Sequence, residues 1–136
     1  MGWRWVVDGP VRVGVATSRR DLTTSTVVAV DGRALLVDPA WEPDELAGIA
    51  DGLAGLGIEV VAGFATHAHH DHVLWHPRLG PAPRFASARV ADICANDREA
   101  IVARLGEHWP AELAGLVGRV GALDGDIATA DAWTPR

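Results

Sequence analysis

Residues 25–41 read "STVVAVDGRALLVDPAW". Two apolar runs, Val27 to Val30 and Ala34 to Val37, flank the dipeptide Asp31-Gly32, which supplies the positive φ angles of a tight turn. The pattern predicts a β-hairpin. Both runs are apolar at successive positions, so both faces of the sheet they enter expect cover.

Following the chain onward, Pro43, Asp44 and Glu45 suit the first turn of a helix. Leu46, Ile49, Ala50, Leu53 and Leu56 then share one face, and Gly57 ends the run. "IEVVAGFAT" (58–66) reads as a strand that runs into a polar loop at an edge of the sheet, where sites of α/β proteins usually lie. "LGPAPRFAS" reads as loop and short strand. Ser87 then caps a helix in which Val90, Ile93, Cys94, Ile101, Val102 and Leu105 recur at near-helical spacing, which makes Cys94 a small core residue. "WPAELAGLVG" suggests a short helix with Pro110 in its first turn, and "RVGAL" a last strand. Before the hairpin, Val6 to Thr17 alternates loosely around Asp8-Gly9-Pro10 and predicts one or two short strands. Residues 118–136 show little periodicity and are expected to be weakly structured. The fold class is α/β (α+β), a mixed sheet with helices on one face, in a single domain spanning 1–136.

Composition narrows the chemistry. All twelve basic residues are arginine, which removes lysine Schiff bases and a P-loop lysine, and tyrosine is absent. Ser18, Ser25 and Ser87 lie in no G-x-S-x-G setting, which argues against a serine hydrolase. A net charge of −6, spread along the chain, makes nucleic acid a poor partner. No apolar run approaches the roughly 18 residues of a membrane span, and "MGWRWVVDGP" does not read as a secretory signal. The lone cysteine agrees with a reducing compartment, so the expected location is the cytoplasm. What remains is His, Asp, Glu or a metal.

Those groups concentrate at "ATHAHHDHVLWH" (65–76), which holds five of the six histidines together with Asp71. Imidazole nitrogen and carboxylate oxygen are zinc-type ligands when the backbone aims several at one point. In an extended segment His67 and His69 project to the same side, and a turn leading into helix brings Asp71 and His72 to an adjoining point. One loop thus offers two pairs of ligands. His70 points away from both, while His76 and His108 read as ordinary loop and helix-flanking residues.

"THAHHDH" (66–72) resembles the T-H-x-H-x-D-H signature of the metallo-β-lactamase superfamily. The preceding hairpin, "LLVDPAW", helix and strand are similar in order and length to that family's N-terminal half. The resemblance implies an αββα sandwich with a one- or two-metal hydrolytic site. By the same resemblance His67 and His69 bind a first metal and Asp71 and His72 a second. Asp71 is also the catalytic candidate, orienting water or moving its proton, and Asp38 supports the metal loop by orienting a ligand imidazole. The implied cofactor is zinc, one or two ions, with iron or manganese also suited to these donors. The implied reaction is hydrolysis of a small-molecule ester, thioester, lactone, amide or phosphodiester by metal-activated water.

The family pattern continues with a Gly-His motif, a bridging acid and a last histidine, none of which follows His72 here; Gly125-Asp126 matches the bridging-acid motif only superficially. The domain is therefore expected to be C-terminally truncated relative to the family. Independently of the family, the helices counted above cover one sheet face and leave the other apolar, which predicts association. Three readings stand: a metal-dependent hydrolase, an incomplete fragment that only binds metal, and a half-domain that pairs with a copy of itself to complete the sandwich.

Overall fold

A computed structural model describes residues 2–123. The chain enters a mixed sheet through β1 (Arg4–Asp8) and β2 (Val11–Thr17), then forms β3 (Thr24–Val30) and β4 (Arg33–Val37), all antiparallel neighbours. Asp31 and Gly32 between β3 and β4 both have positive φ, 51° and 75°. That is the primed turn whose twist matches the flanking strands. The predicted hairpin is therefore present, and the loose alternation before it resolves into two strands.

Beyond the hairpin the sheet turns parallel. Helix α1 (Pro43–Gly55) carries the chain back so that β5 (Glu59–Phe64) runs parallel beside β4. A 3-10 turn at Pro77–Leu79 precedes β6 (Arg84–Ala86); α2 (Ala88–Ala103) and α3 (Ala111–Ala114) precede β7 (Gly121–Ala122), both strands again parallel to their neighbours. The strands lie in sequence order across one seven-stranded sheet. Pro43 occupies the first turn of α1, and Glu45 accepts from the Glu42 N–H at 3.3 Å, satisfying a donor that a helix start leaves open. Ser87 caps α2 by accepting from the Val90 N–H at 3.2 Å.

The helices pack on one face of the sheet. Val27, Ala34 and Leu36 from β3 and β4 meet Ile49 and Leu53 of α1, all essentially without solvent exposure. A second cluster gathers Trp41, Leu74, Cys94, Leu105 and Val117 beneath α2 and α3. Burying each large aliphatic side chain contributes about 1.5–3 kcal/mol relative to leaving it exposed. Trp75 lies against Gly63 of β5 so closely that a Cβ there would stand 2.6 Å from the ring. Arg84 reaches over Trp75 and donates to the Val73 carbonyl at 3.1 Å, pinning the segment after the histidine loop to β6; burial pulls its pKa down to about 10, which leaves it charged at neutral pH.

The opposite face differs. Register places Val13 opposite Val28 and Val28 opposite Leu35, so Val13, Val15, Val28, Val30, Leu35 and Val37 crowd one surface. These side chains are only half-buried and belong to neither core cluster. The expected uncovered apolar face is thus present among the described residues.

Several expectations need correction. Leu56 was placed on the buried face of α1 but is 49% exposed, because it follows the last helical turn and the chain swings away at Gly57, φ 69°. The histidine loop passes through bends and a turn but not into a helix; the next helical residues are the single 3-10 turn at Pro77–Leu79. Pro110 stands as the N-cap of α3 and not within its first turn, and that helix is only four residues long. Asp97 breaks the helical angles inside α2 with φ −114° and ψ 20°. Of the tail expected to be weakly structured, residues 121–122 form β7, while residues 124–136, including Gly125-Asp126, lie outside the described residues.

Candidate metal centre

The parallel neighbours β4 and β5 end side by side, and everything of chemical interest sits just past those ends. Asp38 follows β4 with φ 50°, a left-handed conformation that aspartate adopts more readily than most residues, and its N–H donates to the Phe64 carbonyl at the end of β5. That turn delivers the Asp38 carboxylate under the histidine loop. Oδ1 accepts from the Thr66 N–H at 2.8 Å; Oδ2 accepts from the Thr66 hydroxyl and lies 3.0 Å from His72 Nδ1. One buried carboxylate therefore holds both ends of the loop.

Counting protons along these contacts fixes the rings. Asp38 Oδ2 can only accept, so His72 Nδ1 carries a proton, leaving Nε2 of the neutral ring as a free lone pair. Thr66 has a single hydroxyl proton and gives it to Asp38, so at 3.0 Å it accepts from His67 Nδ1. His67 Nε2 is free by the same logic. Burial works to lower the His72 pKa, yet the hydrogen bond to Asp38 and the charges of Asp38 and Asp71 outweigh it and leave the pKa raised. For His67, burial and the neighbouring His72 lower it.

Asp71 is the buried acid of the loop, 6% exposed. Its Oδ2 accepts from the Thr23 hydroxyl and lies 3.7 Å from His72 Nε2. Its Oδ1 is buried with no hydrogen-bond partner and stands 3.5 Å from His69 Nδ1. Burial opposes ionisation, but the Thr23 hydroxyl and His72 prevail and lower the Asp71 pKa. The loop closes through the His72 N–H, which donates to the His69 carbonyl at 2.9 Å. The His67 ring centroid lies 3.8 Å from that of His72 and 5.4 Å from that of His69.

All the residues singled out in the sequence thus converge, but grouped otherwise than expected. Donor atoms of Asp38, His67 and His72 lie within 4.8 Å of one another, and so do those of His69, His70 and Asp71. His70, expected to point away, turns its ring edge onto the fully buried Trp41 at a centroid distance of 5.3 Å and stays beside Asp71. Of the other histidines, His76 accepts from the Arg78 N–H as a cap, and His108 lies 3.5 Å from Glu42. Sequence reasoning missed Thr23 and Trp41. Thr23 sits in an unpatterned segment 48 positions before Asp71, and nothing local marks it. An open groove of about 220 Å³ between the loop and α2, lined by His69, His70, Ile93, Asp97, Ile101 and Arg104, gives access from solvent.

The residues fit a metal ion. A buried carboxylate oxygen without a donor is costly to leave so, and here imidazole nitrogens surround it in place of hydrogen-bond donors. Nitrogen and carboxylate oxygen together suit a zinc-type ion.

The family model described as the metallo-beta-lactamase superfamily matches residues 18–133. Among solved structures, the DIM-1 metallo-beta-lactamase aligns at 17% identity and TM-score 0.56 over 71% of this chain and 48% of its own. The FIM-1 enzyme from Pseudomonas aeruginosa, solved in a mono-zinc form, aligns at 17% identity and TM-score 0.54 over 72% and 47%. A metallo-beta-lactamase from Hirschia baltica aligns at 22% identity and TM-score 0.51 over 77% and 49%. The matched region accounts for about half the length of these structures. No curated protein matches the sequence.

Proposed function

The chain belongs to the metallo-beta-lactamase superfamily, and from that premise we propose that it carries the metal-binding half of a hydrolase site. His67, His69, Asp71 and His72 hold one or two ions, zinc being the ion that their donors suit best, with iron or manganese as alternatives. The observation that carries the reading is the buried, partnerless Oδ1 of Asp71 among these imidazoles. When bound, an ion there supplies an acidified water and a positive charge for a developing oxyanion. Asp38 orients His67, through Thr66, and His72, so that both present Nε2. Thr23 holds Asp71 by Oδ2 and leaves Oδ1 facing the site, where it takes a place at the ion or accepts a proton from entering water. The substrate is a small molecule with an ester, thioester, lactone, amide or phosphodiester bond.

The test is metal analysis of the dialysed chain followed by hydrolysis assays on a chromogenic lactam, lactone, thioester and phosphodiester. Bound metal of at least one equivalent, turnover of one of these classes that a chelator abolishes, and loss of both in His67→Ala are expected. Metal content below one equivalent that His67→Ala does not change defeats the assignment.

The open sheet face favours a second reading, in which two copies pair sheet to sheet. The surface formed by Val13, Val15, Val28, Val30, Leu35 and Val37 is predominantly apolar, with Thr26 and Arg33 in the same register rows, and suits a second copy of itself. Light scattering is expected to give twice the chain mass, reverting to one chain in Val28→Asp. A wild-type mass of one chain refutes it.

A further inference from the structure

Two buried polar atoms in the histidine loop have no hydrogen-bond partner, Asp71 Oδ1 and His70 Nδ1, and they belong to adjacent residues. Isolated orphans of this kind are rare in folded proteins, and two in one turn point to a shared missing partner. Asp71 is nine-tenths buried, so bulk water does not supply that partner. The metal-ligand grouping of His69, His70 and Asp71 contains both residues.

One distance in this grouping matches that between two ligands of a single ion. Ligand atoms about 2.0–2.1 Å from a tetrahedral zinc stand roughly 3.4 Å from one another. His69 Nδ1 and Asp71 Oδ1 stand 3.5 Å apart without a hydrogen bond between them. The other grouping, Asp38 with His67 and His72, has a different character, since both Asp38 oxygens already accept hydrogen bonds. In the first grouping, by contrast, the carboxylate and an imidazole each keep a buried polar atom without a partner.

We propose that His70 is a metal ligand, joining His69 and Asp71 to give one ion three protein ligands from three consecutive residues. This rests on reading the loop as a metal site, and adds that His70 supplies the third ligand that a catalytic zinc requires. Trp41 provides the rigid support: its buried ring, wedged at 6.0 Å from that of Trp109, meets His70 edge-on and limits where the imidazole turns. His69 and His70 also line the groove toward α2, so the grouping is open to solvent on that side.

The experiment is cobalt(II) titration of the metal-free chain, followed by visible absorption, for the wild type, His70→Phe and His72→Ala. Phenylalanine keeps a ring against Trp41 and removes only the nitrogens. His70→Phe is expected to bind cobalt at least about 100-fold more weakly, the upper end of what losing an outer partner of a ligand costs. Cobalt binding within twofold of wild type in His70→Phe, with loss in His72→Ala, overturns the role of His70 and leaves the hydrolase reading standing. A wild type that binds no cobalt overturns both. Long-range nitrogen NMR on the wild type is independent of any variant: zinc is expected to shift one ring nitrogen of His70, and an unmoved pair refutes its ligation.

Discussion

Replacing Asp38 by asparagine tests the proton arrangement of the site without changing its shape. Asparagine tolerates the φ of 50° at this position, so the backbone is not disturbed. Its carbonyl oxygen replaces Oδ1 and still accepts from the Thr66 N–H, while its amide NH2 takes the place of Oδ2. Two donors now face His72 Nδ1–H and the Thr66 hydroxyl proton, where one acceptor stood before. The least costly escape moves the His72 proton to Nε2 and turns the Thr66 hydroxyl toward His67 Nδ1, which pushes the His67 proton to Nε2 as well. Both ligand lone pairs are lost together. Outer partners of ligand histidines are worth 10–100-fold in metal affinity, about 1.4–2.7 kcal/mol. Exchanging charged for neutral hydrogen bonds costs about 1–2 kcal/mol of metal-free stability besides. Zinc competition against a chromophoric chelator measures the first quantity, urea unfolding the second, and long-range nitrogen NMR reads the tautomers. Unchanged tautomers with zinc affinity within twofold of wild type refute the argument.

Three further outcomes follow from the same contacts. A folded His72 pKa above the unfolded value makes a contribution to stability that is fully present below the unfolded pKa, about 6.5, and is lost as pH rises through the folded one. The stability gap between metal-free wild type and His72→Gln is therefore expected to be largest below pH 6.5 and to shrink as pH rises above it; a gap that widens with pH contradicts it. Thr23→Val removes the hydroxyl that lowers the Asp71 pKa, so the metal-free protein is expected to lose about 1.5–3 kcal/mol, with a smaller loss once zinc is bound; equal losses in both states count against the site. Gly63→Ala drives a methyl to within 2.6 Å of Trp75, and urea unfolding is expected to show a loss of about 1–3 kcal/mol; a neutral result means that Trp75 moves freely.

The parts of the fold that were legible are those whose signal is local. Asp31-Gly32 forces a primed turn whatever surrounds it, and the apolar spacing of Leu46, Ile49 and Leu53 meets the sheet on one helical face. Leu56 misled because periodicity does not say where a helix stops; Gly57 does, one residue later. The length of α3 was illegible because Pro110 marks a start equally well from the cap or from the first turn. In the site, histidines and acid within one loop were readable as metal donors from their types alone. Their grouping was not, because side-chain direction in a turn depends on contacts from afar: Asp38 pulls His72 one way, and Trp41 with Thr23 set His70 and Asp71 the other.

That division also explains why the centre stands at the junction of β4 and β5. A parallel pair ends with both strands releasing their chains on the same side, so a residue just past one strand naturally reaches the loop after the other. Asp38 and Thr66 are such a pair, and their two hydrogen bonds cost little ordering because the strands have already fixed both backbones. The same packing cannot serve the other side of the sheet, where Val28 and Leu35 face outward from the very strands that align the carboxylate. Covering that face would stiffen β3 and β4 and with them the position of Asp38. Association through the sheet and metal affinity are thus expected to be coupled, and Val28→Asp, on the opposite face of the strand beside β4, is expected to weaken zinc binding. Equal zinc affinity in the paired and unpaired proteins would show that the two faces act independently.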